Sequence, residues 1–250
     1  MATLYDGNSL KQDFNKYDEL RALGNGSLER YLIPAFDISH LQNYQQWKDQ
    51  RDSRDQGRFW GHLPPTDQIK NFLDDVGDIV DPQTILEIGI CLGYSATYML
   101  QSWPGCKILG VDKVAFQKYP AHDVHTNRAC LEFTIAKYPG RYFPLQCDSK
   151  ELGKGWMLNP NGAFDLAFVD GWHNYEYAWA DIQSCKDLNI KYLMIDNALT
   201  TDGVRRAIKD HELIEEISVE YETVRSLVNG LPPQRLQMWV EKLGLYTWKN

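Results

Sequence analysis

The sequence has no C-x-x-C pair. Its five cysteines, Cys91, Cys106, Cys130, Cys147 and Cys185, are scattered. An odd, dispersed set argues against both a disulfide framework and a zinc site. Dense Lys/Arg runs are also missing, and 26 basic against 34 acidic residues leave a net charge of −8. That balance lacks the footprint of a nucleic-acid surface, so no nucleic-acid partner is expected. No apolar run approaches the ~18 residues of a membrane span. The first residues lack the basic and apolar stretches of a secretory signal. The expectation is a soluble, cytoplasmic protein without a membrane partner. Internal repeats and low-complexity segments are absent as well.

What is there suits one α/β domain with an extension: 250 residues, 43% of them hydrophobic, enough for a sizeable core. Residues 1–65 are polar and dotted with aromatics, with no strong strand, and read as a helical N-terminal lid or extension. Within them Asp37 to Arg58 has helical spacing (Leu41, Tyr44, Trp47). Its interleaved Arg51, Arg54, Arg58 and Asp49, Asp52, Asp55 describe a solvated face or an anion-binding edge of a lid. Thr66 can cap a helix over Asp67–Val76.

From residue 84 strand and helix alternate. Strands are predicted at 84–88, 107–111, 142–146, 164–169 and 191–195, helices at 94–102, 123–138, 175–186 and 202–210. Such alternation implies a parallel sheet with right-handed crossovers. Two further strands, 216–223 and 236–241, lack an intervening helix and should pair antiparallel at one end.

The stretch 85–95 ends an apolar strand in an acid, Glu87, and turns through Gly89 and Gly93 into a helix starting near Ser95. Such a turn brings bare backbone and helix N–H groups near a ligand. The next strand ends in Asp112, a carboxylate able to accept both hydroxyls of a ribose. Together they suggest a pocket for an adenosine-containing cofactor. A dinucleotide loop needs G-x-G-x-x-G, but here the middle glycine is missing. Glu87 would repel a pyrophosphate and suits a cationic ligand. The plainer alternative is a strand–turn–helix in some other α/β protein.

Asp170 closes the fourth strand, and Asp196-Asn197 follow the fifth. Adjacent parallel strands bring these ends within about 5 Å. Two carboxylates and an amide oxygen, with no nearby cysteine, describe a hard-cation site for Mg²⁺, Ca²⁺ or Mn²⁺. Without a cation the two carboxylates would repel.

The loop Glu87-x-Gly89-x-x-x-Gly93 resembles that of class I S-adenosylmethionine-dependent methyltransferases. The set Asp170, Asp196, Asn197 resembles the metal triad of divalent-metal-dependent O-methyltransferases of the catechol type. The pattern Asp170-Gly171-x-His173-x-Tyr175, followed by Asp181, resembles D-G-x-H-x-Y of a related group. That group includes macrolide-sugar O-methyltransferases and cephalosporin-hydroxylase-like proteins. The resemblance spans about 80 to 240 of the numbering. It departs before strand five, where Lys186 to Lys191 replace the usual Pro-Gly-Gly.

The resemblance implies a Rossmann-like, mostly parallel seven-stranded sheet with helices on both faces and an antiparallel last strand. The methyltransferase domain would occupy 66–250. The implied cofactor is S-adenosyl-L-methionine, held by Glu87, Gly89, Gly93, Ser95, Asp112, Asp148 and Asp170. Of these, Asp148 would meet the adenine, though it can equally be a helix cap. Asp170, Asp196 and Asn197 would hold Mg²⁺. His173 stands where the catechol-type enzymes carry a lysine base and can take a hydroxyl proton. Its alternatives are a helix cap or a structural bond to Asp170. Trp172 and Tyr175 can line an acceptor pocket or pack, and His62 can line the pocket. The expected partner is a small-molecule hydroxyl acceptor, a sugar diol or a catechol, with a homo-oligomer possible. The rival readings are a hydroxylase-like enzyme and a non-catalytic cofactor-binding protein on the same fold.

Overall fold

A computed structural model describes residues 67–91, 93–113, 131, 134–135, 137–146, 148–152, 164–226 and 236–249. The N-terminal extension, with its expected helix at 37–58, His62 and the Thr66 cap, lies outside them, as does most of the expected helix 123–138.

The described elements run α1 (Asp67–Val80), β1 (Thr84–Ile88), α2 (Tyr94–Ser102), β2 (Lys107–Asp112) and β3 (Tyr142–Gln146). A 3-10 turn, Ser149–Glu151, precedes β4 (Leu166–Val169), α3 (Tyr175–Asp187), β5 (Tyr192–Ile195), α4 (Asp202–Asp210), β6 (Leu213–Ser226) and β7 (Leu236–Trp248). The seven strands form one sheet in the order β3-β2-β1-β4-β5-β7-β6. Strands β1 to β5 are mutually parallel where they pair. Only β7 runs against its neighbours, β5 on one side and β6 on the other.

Both faces of the sheet are covered, as an all-parallel core requires. Alternate side chains divide between them. Ile85, Ile108, Leu166, Phe168 and Met194 pack with Ile69, Phe72, Leu73 and Val76 of α1 and Tyr98 and Met99 of α2. Leu86, Ile88, Val111, Ala167, Val169, Leu193 and Ile195 pack with Ala178, Ile182 and Cys185 of α3 and Val204 and Ala207 of α4.

Two elements outrun their sequence signals. Helix α1 continues past Val76 through Gly77, where a side chain would collide with Trp103: a Cβ would lie 2.8 Å from its Nε1. The indole closes this contact by donating to the Leu73 carbonyl at 3.1 Å. Strand β7 continues through Gly244 to Trp248 because the Tyr246 ring lies over that glycine, 2.7 Å from where a Cβ would stand. In both places glycine marks a ring seated on backbone rather than an end.

Candidate functional site

The C-terminal ends of β1, β2, β4 and β5 share one edge of the sheet, where ligands bind in open α/β folds. Glu87, Gly89, Asp112, Asp170, Asp196 and Asn197 stand at or next to these strand ends, whereas His62 lies outside the described residues.

The loop after β1 is braced from three sides. Gly89 (φ 91°) donates its N–H to the Val111 carbonyl at 2.9 Å. Gly93 (φ 75°) starts α2 in the left-handed region that favours glycine. Between them, the Ile90 and Cys91 amides donate to Asp112 Oδ2 at 2.9 and 3.3 Å. Asp112 thus ties the end of β2 to the loop of β1.

Glu87 lies under the loop and is fully buried. Ser95 Oγ donates to its Oε1 at 2.6 Å, and the Tyr142 hydroxyl donates to its Oε2 at 3.1 Å. Burial drives the Glu87 carboxyl up to about 8, against the lowering effect of Ser95 and Tyr142. Gly110 on β2 makes room for it, since a Cβ there would meet Glu87 Oε2 at 2.9 Å. Glu87 and Ser95 therefore act from inside the fold, fastening the start of α2 to the sheet.

Asp148, after β3, accepts from the Lys150 amide at 3.1 Å and from Lys113 Nζ at 2.8 Å. Partial burial opposes ionisation, but the Lys113 ammonium and the Lys150 amide hold the carboxyl below its usual range. It is a cap, as one of its two readings has it, and it is tied to the residue after Asp112. Tyr177 joins this corner: Lys150 Nζ stands 3.7 Å from its ring centre and Lys113 Nζ 3.2 Å from its hydroxyl.

Past β4, the Asn174 side chain caps α3 by accepting from the Tyr177 amide at 2.9 Å. His173 is therefore not the cap. Its Nε2 lies 3.9 Å from Asp170 Oδ1, an ion-pair separation rather than a hydrogen bond, and its side chain is 40% exposed. Tyr175 turns away and donates to Asp210 at 2.7 Å, whereas Trp172 is 65% exposed at the rim.

The register Val169↔Ile195 sets Asp170 and Asp196 one step beyond paired residues of adjacent strands. Asp196 and Asn197 are each 1% exposed. Asn197 Nδ2 donates to Asp196 Oδ2 at 2.6 Å, and the Tyr221 hydroxyl donates to Asp196 Oδ1 at 2.6 Å. The Asn197 side-chain oxygen is buried and has no hydrogen-bond partner. Buried side-chain oxygens are ordinarily bonded to protein, water or an ion, so this oxygen is a candidate donor to a bound group. Among the described residues no group of three His, Cys, Asp or Glu side chains is arranged to hold a metal. The candidate donor set includes an amide, and its two aspartates come from neighbouring strand ends.

Sequence reasoning missed Tyr142, Tyr221, Glu241 and Lys113. Tyr221 and Glu241 face each other in the β6–β7 register. Burial pushes the Tyr221 hydroxyl far above its ordinary pKa, followed by the charges of Asp196, Asp170 and Glu241. Glu241 is fully buried and accepts from the Thr200 hydroxyl and, at 3.4 Å, from the Thr200 amide. The one available signal was a tyrosine between two glutamates on a strand, which period-two alternation turns inward.

Residues 86–191 match a family described as a methyltransferase domain. No curated protein sequence matches the chain. Among solved structures, a proposed RNA methyltransferase from Pyrococcus horikoshii is similar at a TM-score of 0.56 and 12% identity, covering 86% of this chain and 96% of that one. A proposed caffeoyl-CoA O-methyltransferase from Staphylococcus aureus is similar at 0.51 and 10% identity, covering 86% and 97%. A proposed O-methyltransferase from Klebsiella pneumoniae is similar at 0.50 and 16%, covering 85% and 94%. At such identities the likeness is one of fold. The family match begins within β1 and ends just before β5. Together the two support a class I S-adenosylmethionine-dependent methyltransferase. No helix among the described residues is long and apolar enough to cross a membrane.

Proposed function

We propose that this protein transfers a methyl group from S-adenosylmethionine to a hydroxyl oxygen of a small molecule, with a divalent cation at Asp170, Asp196 and Asn197. The observation that carries the reading is the buried, unpartnered Asn197 oxygen beside Asp196, one strand from Asp170. Two carboxylates and an amide oxygen fit Mg²⁺ better than a softer metal. A bound cation there would supply charge that lowers the pKa of a coordinated hydroxyl.

The chain's own groups divide the remaining work. The loop from Gly89 to Gly93 offers bare backbone to the cofactor. Asp112, fixed by the Ile90 and Cys91 amides, is the carboxylate for the ribose hydroxyls. Glu87 and Ser95 hold the loop's shape from beneath. Asp148, Lys113 and Tyr177 wall the adenine side. His173, exposed beside Asp170, takes the acceptor's proton. Catalysis would then rest on positioning and on electrostatics prepared in advance. A chelating site favours acceptors with two neighbouring oxygens.

The test is methyl transfer from labelled S-adenosylmethionine to a panel of sugar diols and catechols. Native protein should transfer label in the presence of Mg²⁺, and Asp196→Ala should not, while keeping cofactor affinity. Full turnover by Asp196→Ala in EDTA would remove the cation from the account. Label-independent conversion of a diol would favour the hydroxylase-like reading.

A further inference from the structure

We infer that Tyr221 is the positioning residue that holds Asp196 for a divalent cation, so that the β6–β7 hairpin is a working part of the site. The inference rests on the cation reading above.

Tyr221 belongs to β6, the outermost strand, yet its hydroxyl crosses over β7 to reach Asp196 Oδ1 at 2.6 Å. Both residues are nearly inaccessible, at 2% and 1% exposure. A buried carboxylate needs donors to remain in place and ionised. The side-chain donors on Asp196 include the Tyr221 hydroxyl and Asn197 Nδ2.

These two are not equivalent. The amide of Asn197 carries a donor on one arm and the unpartnered oxygen on the other. Asn197 is thus itself a candidate ligand, whereas Tyr221 has no oxygen in the candidate donor set and touches Asp196 as a donor from another strand. Partners of this kind orient a ligating carboxylate and tune its affinity.

The hairpin also fixes the backbone of the same loop. The Ala198 amide donates to the Lys242 carbonyl at 3.1 Å, and Thr200 is held by Glu241. Asn197 sits between these anchors with φ 60°, a left-handed conformation that asparagine tolerates. Strand β7 thus sets the path of the loop, and β6 sets the direction of its carboxylate.

The test is calorimetric titration of Mg²⁺ into chelator-treated full-length protein, native and Tyr221→Phe, with S-adenosylmethionine affinity measured on both. The expected result is Mg²⁺ affinity lower by roughly 10- to 100-fold in Tyr221→Phe, with cofactor affinity unchanged. Equal Mg²⁺ affinity in the two proteins would overturn the inference and leave the cation site standing. A native chain that binds no Mg²⁺ would sink the site and the inference together. Should Tyr221→Phe lose cofactor binding through misfolding, the native chain still decides. Mg²⁺ should produce a tyrosine absorption difference spectrum, because the phenol is bonded to the ligating carboxylate. Mg²⁺ binding without that spectrum would count against Tyr221.

Discussion

Gly89 and Asp170 are in backbone contact: a Cβ on Gly89 would stand 2.1 Å from the Asp170 carbonyl oxygen. The turn that presents the cofactor loop and the strand end that carries the first acidic residue are therefore one packed unit. Positive φ at Gly89 adds a second reason for glycine. Gly89→Ala should lower stability by about 2 kcal/mol or more and weaken both cofactor and Mg²⁺ binding. Denaturant unfolding with calorimetry on the surviving protein checks this. A variant with native stability would show that the contact yields without strain.

Glu87 and Tyr142 form the floor of the same loop. Glu87→Ala would leave Ser95 and Tyr142 without their acceptor, a loss of about 1–3 kcal/mol, and should loosen the start of α2. Cofactor affinity should fall more than tenfold. Tyr142→Phe removes one donor and should cost about 1 kcal/mol. Thermal melts and cofactor titration separate the two variants.

Asp181 is 1% exposed on α3, and neither of its oxygens closes a hydrogen bond of normal geometry. Burial drives its carboxyl up to about 7; the nearby Ser149 side chain lowers it a little, and Asp148 raises it again. A folded pKa above the unfolded one means that the folded state holds the proton longer. Stability from this group is then greatest in acid and declines as pH rises from the ordinary carboxylate range through about 7. Asp181→Asn should remove that decline, gaining on the order of 4 kcal/mol over the native protein at pH 8 and little near pH 4. Urea unfolding at the two pH values is the check. An equal difference at both would mean that ionisation of Asp181 is not the cause.

His173 is predicted to act on the acceptor and not on the cofactor. His173→Gln should lower kcat by about 10²- to 10⁴-fold and leave S-adenosylmethionine affinity at its native value. Steady-state rates across pH, with binding measured in parallel, distinguish this from a structural role, which would move both.

The strands β1 to β5 were legible because each is a short apolar run between turn residues, and their spacing leaves room for a crossover. The two acidic strand ends were legible for the same reason: once the strands are parallel, residues after them share an edge. Less could be read where a residue's meaning depends on who faces it. Glu87 looks like a ligand-facing acid in sequence. In the fold, Ser95 and Tyr142 cover it, and Tyr142 arrives from a strand two places away. Tyr221 carries no motif, and its reach to Asp196 exists only because β7 is inserted between β5 and β6. The expected helix stopped at Val76 and the expected strand at 241, short of Gly77 and Gly244, where Trp103 and Tyr246 sit on the backbone. Side-chain periodicity sees one element at a time, and these features belong to pairs of elements.

The central claim is that the loop and the acidic edge serve one cofactor and one cation. The most direct measurement is calorimetric titration of S-adenosylmethionine and then Mg²⁺ into chelator-treated protein, native and Asp196→Ala. The account predicts micromolar cofactor binding in both, and a separate Mg²⁺ event present in the native protein and absent in Asp196→Ala. Native protein that binds no S-adenosylmethionine would contradict it.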